Sequence, residues 1–305
     1  MTVALYQHPE CIRHDMGGGH PERPARLGAV MDGLAEAGLS DFLEQREAPV
    51  VERSALLRAH PAVYLDFLAG HAPASGTARL DPDTIMNPHT LSAAARAAGA
   101  GVAAVDAVLA GELDAAFCAV RPPGHHAEKR VPMGFCFYSH IAVAALHALD
   151  HHGLDRVAIC DFDVHHGNGT EDVVDGDFRV LFCSTFEHPQ FPGKFRHDVP
   201  GHRVNCPLTA GTGSDGFRRV IEERWLPALA AFEPQLVLIS AGFDAHRADP
   251  LGGLVLGEAD FAWITARLVE VAGQHAQGRV VSMLEGGYDL AALGRSAAAH
   301  VNEFI

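Results

Sequence analysis

The chain has 305 residues, 48 % hydrophobic and 20 % charged, enough apolar side chain for one large core. Its formal net charge of −15 and pI near 5.7 disfavour nucleic-acid binding, which needs a basic face, and suit cationic substrates. No run of about 18 apolar residues is present, so no membrane span is expected; Met1-Thr2-Val3-Ala4-Leu5-Tyr6 lacks the basic and long apolar regions of a signal peptide, so a cytoplasmic location is expected.

Apolar runs predict strands near residues 2–6, 116–120, 157–162, 179–184, 236–241 and 279–284. Helical spacing covers the alanine-rich segment 92–110, followed by Gly111, and recurs over 141–149, 217–232 and 261–275. Asp215 and Asp260 read as helix-start signals. Segments 60–90 and 185–215 are rich in Pro, Gly and His and read as irregular loops around a substrate entrance. Strands alternating with helices predict an α/β fold: an open, mostly parallel sheet with helices on both faces, in a single domain spanning 1–305. The six cysteines lack CxxC spacing and read as buried, reduced thiols. The Ala- and Arg-rich composition suggests a bacterial source.

Four of the apolar runs end in residues that carry chemistry. The run Val157-Ala158-Ile159-Cys160 leads into Asp161-Phe162-Asp163-Val164-His165-His166-Gly167-Asn168-Gly169. Phe117-Cys118-Ala119-Val120 leads into Arg121-Pro122-Pro123-Gly124-His125-His126. Leu236 to Ser240 leads into Ala241-Gly242-Phe243-Asp244, and Val280 to Leu284 into Glu285-Gly286-Gly287-Tyr288. Ligands of open α/β sheets bind at the carboxyl ends of strands. Burying two carboxylates and two imidazoles within six residues is costly without a partner, and a metal ion is the simplest one. Asp163 and His165 alternate along extended chain, so both can face one ion. The pair His151-His152, by contrast, reads as ordinary surface histidines.

At these points the sequence resembles the histone deacetylase superfamily, closest to its class II branch and bacterial relatives. The matching pieces are HPERPARL (20–27), RPPGHHA (121–127), GFC (134–136), DFDVHHGNG (161–169), FPG (191–193), SAGFDAHRADPLGG (240–253) and LEGGY (284–288), in the family's order. The resemblance implies the arginase/deacetylase fold and a metal held by Asp163, His165 and Asp244. Zinc is the expected ion, and an oxygen-rich site also suits ferrous iron. It implies His126 as general base toward the attacking water and His125 as its electrostatic partner, oriented by Asn168 and Asp161 respectively. Tyr288 is the implied oxyanion donor, with Gly286 and Gly287 freeing its loop. Phe135 and Phe191 are the implied walls of an acyl-lysine tunnel, with Gly134 accepting the substrate amide and Asp83, near Asp81, at the rim. Asp161 and Ser184 match a monovalent-cation site, expected to hold potassium. Arg26 matches a basic residue beside an internal acetate channel and reads equally as a structural salt-bridge residue.

The implied activity is removal of acetyl, or a related acyl group, from the ε-amine of acyl-lysine. Relatives that act on acetylpolyamines carry an acidic gatekeeper after the second metal aspartate. Leu251 stands there and favours acetyl-lysine, with an acetylpolyamine amidohydrolase as the alternative. A binuclear ureohydrolase would need more carboxylates around both metal segments. A non-catalytic acyl-lysine reader would have lost Tyr288, a histidine or a metal ligand. The expected partner is an acetylated lysine side chain or a small acetylated amine, with no nucleic acid and no membrane; a homo-oligomer is compatible with these features.

Overall fold

The computed structural model describes residues 2–305. Its strands are β1 (Val3–Gln7), β2 (Leu43–Glu47), β3 (Ala78–Arg79), β4 (Ile85–Met86), β5 (Ala115–Cys118), β6 (Val157–Asp161), β7 (Val180–Glu187), β8 (Arg203–Leu208), β9 (Leu236–Ala241) and β10 (Val280–Leu284). Its helices are α1 (Glu10–Arg13), α2 (Ala25–Glu36), α3 (Arg53–Ala59), α4 (Ala62–His71), α5 (Thr90–Leu109), α6 (His140–Asp150), α7 (Asn168–Val174), α8 (Ser214–Val220), α9 (Leu226–Phe232), α10 (Glu258–His275) and α11 (Leu290–Asn302). A π turn, Ile221–Trp225, joins α8 to α9, so the helical segment expected over 217–232 starts at Ser214 and contains one wider turn.

Eight strands form one sheet in the order β2-β1-β5-β10-β9-β6-β7-β8, and every pairing is parallel. The four strands that end in the chemical motifs, β5, β10, β9 and β6, are consecutive at the centre. Because all run the same way, their carboxyl ends share one edge, and the motifs converge there. Central strands such as β6, β9 and β10 are buried along their whole length, as a parallel sheet covered on both faces requires. One group of helices includes α5 and α6, which pack on each other and reach β5, β10, β6 and β9. The other includes α2, α11 and α10, packed in that sequence, with α10 reaching β9.

Several expectations need correction. Segment 60–90 is not irregular throughout: it holds α4 and the small antiparallel pair β3–β4. Segment 185–215 holds the end of β7 and all of β8. Helix α5 is long and apolar enough by composition to cross a membrane, although 61 % of its most apolar stretch is buried inside the fold. Asp215 lies within the first turn of α8, where its carboxylate marks the helix start as expected. Asp260 does serve the start of α10, accepting from the Gly257 amide at 3.1 Å and from Ser214 Oγ at 2.8 Å.

Candidate metal centre and acyl tunnel

The loop after β6 and the loop after β9 bring Asp163, His165 and Asp244 together, with one possible ligand atom from each lying within 4.8 Å of the others. All three are buried. His165 Nδ1 lies 3.0 Å from Asp163 Oδ1 and 3.2 Å from Asp244 Oδ2. Backbone amides hold the carboxylates: Gly286 N donates to Asp163 Oδ2 at 2.9 Å, and Val164 N to Asp244 Oδ1 at 2.9 Å. Asp244 Oδ2 has no hydrogen-bond partner. Burial and the Asp163 charge push the Asp244 carboxyl up to about 7. Burial opposes protonation of His165, but Asp163 and Asp244 prevail and lift it to about 10. An orphaned carboxylate oxygen beside a second carboxylate and an imidazole fits a divalent ion with open positions.

Gly286 explains itself by space. A Cβ there would overlap the carboxylates of Asp244 and Asp163, so glycine is required for the β10 loop to close over them. The loop freedom expected of both glycines belongs to Gly287 alone, with φ of 119°.

The tandem histidines sit behind this cluster. His125 Nδ1 donates to Asp161 Oδ2 at 2.9 Å, and His126 Nδ1 to Asn168 Oδ1 at 2.7 Å. Their environments push them apart. Burial opposes a charge on His125, yet Asp163, Asp161 and Glu285 hold its pKa well above the usual imidazole range. Burial, then the charges on His125 and His165, hold His126 well below it. One imidazole is thus a cation and its neighbour a neutral acceptor, the split that separates an electrostatic role from a base.

A cavity of about 320 Å³ opens above them. His126, His165 and Tyr288 form part of its lining, together with Gly134, Phe135, Phe191, Leu251 and Asp83. The Phe135 and Tyr288 rings meet edge to face at 5.9 Å, and Phe191 meets the His126 ring at 5.0 Å. Phe135 holds a left-handed backbone, φ 69°, after Gly134 at φ 56°, and its amide donates to Thr84 Oγ1 at 3.1 Å. Gln190 also lines the cavity and donates to the Leu251 carbonyl at 3.2 Å. Asp83 is half-buried, and burial together with Asp81 raises its pKa. Burial raises the Tyr288 hydroxyl well above its usual range despite nearby Arg26, so it stays a proton donor.

Ser184 lies outside this cavity. It pairs in register with Asp161 across β6 and β7, and its buried Oγ has no partner. Arg26 is fully buried; Nε donates to the Gly287 carbonyl at 2.6 Å and Nη2 to the Glu285 carbonyl at 2.5 Å. Its guanidinium carbon lies 5.0 Å from the centre of the Tyr288 ring. In this structure Arg26 clamps the tyrosine loop through these two carbonyls.

Several supporting residues escape the sequence reading. Glu22 takes Arg26 and Arg121 together, and against burial Arg121 and His14 hold its carboxyl well below the usual range. Asp249 accepts from the Tyr288 amide at 2.6 Å and the Asp289 amide at 3.1 Å. Glu285 accepts from the Gly124 and His125 amides at 2.7 and 3.1 Å. Glu128 accepts from Asn168 Nδ2 at 2.9 Å. Each lies inside a recognised motif or just after one, but its partner is remote in sequence, so spacing could not reveal its task.

The comparisons with known proteins agree with this geometry. The family model for the histone deacetylase domain matches residues 20–304. A histone deacetylase-like amidohydrolase of Pseudomonas aeruginosa is 40 % identical over 277 residues, covering 88 % of this chain and 73 % of that protein. The human protein named polyamine deacetylase HDAC10 is 35 % identical over the whole of this chain, which spans 46 % of its length. The crystal structure of the HDA15 HD domain superposes with a TM-score of 0.92 at 32 % identity, covering 99 % of this chain and 89 % of that one. With the motifs meeting on adjacent strand ends and the fold matching over nearly its full length, the chain belongs to the histone deacetylase family.

Proposed function

We propose that this chain is a zinc-dependent deacetylase that hydrolyses the amide of ε-acetyl-lysine. The observation that carries this reading is one cavity lined by the His126 imidazole, the Tyr288 phenol, His165 of the carboxylate–imidazole cluster and two phenylalanines. Asp163, His165 and Asp244 would hold the ion. Bound there, it supplies Lewis acidity toward water and the acyl carbonyl.

The chain's own residues account for the remaining chemistry. Phe135 and Phe191 grip a thin methylene stem and exclude bulk water. The Gly134 carbonyl accepts the substrate amide N–H. His126 Nε2, its ring oriented through Nδ1 by Asn168, takes the proton of the attacking water. Tyr288 donates a hydrogen bond to the oxyanion that develops on the acyl oxygen. The cationic His125 stabilises that negative charge, and a protonated histidine passes a proton to the leaving amine. A potassium ion beside Asp161 belongs to the same reading, supported by the unpartnered Ser184 Oγ.

A second reading, hydrolysis of an acetylated polyamine, rests on the Asp83 carboxylate, which lines the same cavity and suits a second ammonium. Leu251, apolar and lining the same cavity, favours lysine instead. Turnover of zinc-loaded protein on an acetyl-lysine peptide and on N-acetylputrescine separates the two. Faster peptide cleavage supports the first reading, and faster polyamine cleavage replaces it with the second.

A further inference from the structure

We propose that a second transition-metal site, unrelated to the deacetylase centre, lies at the far end of α6 and is formed by His147, His151, His152 and Asp106. Helices α5 and α6 both end where β5 and β6 begin, at the edge of the sheet opposite the catalytic cavity. His147 and His151 are four residues apart and so share one face of α6; their rings stack at 4.7 Å. Two imidazoles at that spacing on a helix are a recurrent way to hold zinc. His152 closes the group, its ring 5.2 Å from His147 and 5.0 Å from His151. One ligand atom from each of the three lies within 4.8 Å of the others.

Asp106, on α5, adds the charge. His147 Nε2 and His152 Nε2 both lie 2.6 Å from the same oxygen, Asp106 Oδ1. An ion with bonds of about 2.0–2.2 Å keeps neighbouring ligand atoms roughly 3 Å apart, so small side-chain shifts admit it. Three imidazoles and one carboxylate are the donor set of zinc, nickel or copper, not of calcium or magnesium. His147 is buried, and His151 and His152 are exposed, so the group is open to an ion from solvent.

One group opposes the ion. Arg58 Nη1 sits 3.4 Å from His147 Nδ1. A metal on Nε2 places the ring proton on Nδ1, so the half-buried Arg58 has to swing toward solvent. The bound ion would tie the end of α5 to the end of α6.

The test is the number of Zn²⁺ ions bound per chain. Metal-stripped full-length protein is titrated with Zn²⁺ by calorimetry, and retained metal is measured by mass spectrometry. The expected result is two ions for wild type and one for His151→Ala/His152→Ala, with acetyl-lysine peptide turnover unchanged in that variant. His152→Gln, a single exposed change, loses the same ion if the double variant folds poorly. Asp163→Ala retains the second ion, so failure at one centre is distinguishable from failure at the other. Arg58→Ala tightens the second site several-fold. One ion in wild type overturns the proposal, as does a second ion retained in both histidine variants.

Discussion

Glu128 Oε1 accepts a hydrogen bond from Asn168 Nδ2 at 2.9 Å, and this dictates which way the Asn168 amide faces His126. A carboxylate only accepts, so the NH₂ must point to Glu128 and the carbonyl oxygen to His126 Nδ1, 2.7 Å away. Nδ1 therefore carries the proton, and Nε2 keeps its lone pair toward the cavity. Lys194 Nζ lies 3.2 Å from the same Glu128 oxygen. Glu128→Ala frees the amide to flip, and kcat is predicted to fall by about 10–100-fold with KM unchanged. Adding Asn168→Asp, which can only accept, should recover part of the loss. Unchanged kcat in Glu128→Ala would refute this positioning role.

The carboxylate–imidazole cluster predicts metal dependence. Asp163→Ala leaves His165 and Asp244 as a two-ligand remnant, so the protein should lose its catalytic ion and its turnover together. Chelation of wild type should abolish activity, and added Zn²⁺ should restore it. An active, fully metallated Asp163→Ala protein would overturn the ligand set.

Arg26→Met tests the clamp beneath Tyr288. The substitution removes hydrogen bonds to the Gly287 and Glu285 carbonyls and one partner of fully buried Glu22. Breaking such a buried pair costs about 3–5 kcal/mol, to be read in urea unfolding. Because the same loop places Tyr288, kcat should fall as well. Wild-type stability and turnover together would show that the clamp is dispensable.

Acid should destabilise the fold through buried imidazoles outside the catalytic cavity. Burial pushes His60 down to about 4 and His300 down to about 3. His300 is satisfied while neutral, with Thr265 Oγ1 at 2.6 Å and Ser282 Oγ at 2.7 Å. The unfolded chain takes up these protons below about 6.5, whereas the fold refuses them until about 4 and about 3. Stability is therefore complete above 6.5 and falls with pH through that window, by about 2 kcal/mol for each histidine between pH 7 and pH 5. Urea unfolding at the two pH values measures the slope, and a flat profile would contradict the burial argument.

The central strands are legible in the sequence because they are buried on both faces and read as unbroken apolar runs. The edge strands are not. β2, with sequence LEQRE, buries only Leu43, so solvated residues mask it. β8 hides Arg203 and Asn205 in its interior, satisfied by Asp175 at 2.9 Å and Glu171 at 2.7 Å, pairings that no local pattern announces. At the site, residues with chemistry directly after apolar runs are visible, among them Asp163, His126 and Tyr288. Asn168 and Asp161 stand out only through the family motif, and the residues behind the site are silent because their partners are distant: Glu22 meets Arg121 across 99 positions, and Glu128 meets Asn168 across 40.

The most direct test of the central claim is turnover of an acetyl-lysine peptide by zinc-loaded wild type and Tyr288→Phe, with metal content measured on the same samples. The account predicts equal metal content and a loss of about 10²–10³-fold in kcat for the variant. Equal turnover would contradict the oxyanion role of Tyr288, and a wild type inert toward the peptide would contradict the proposed lysine substrate.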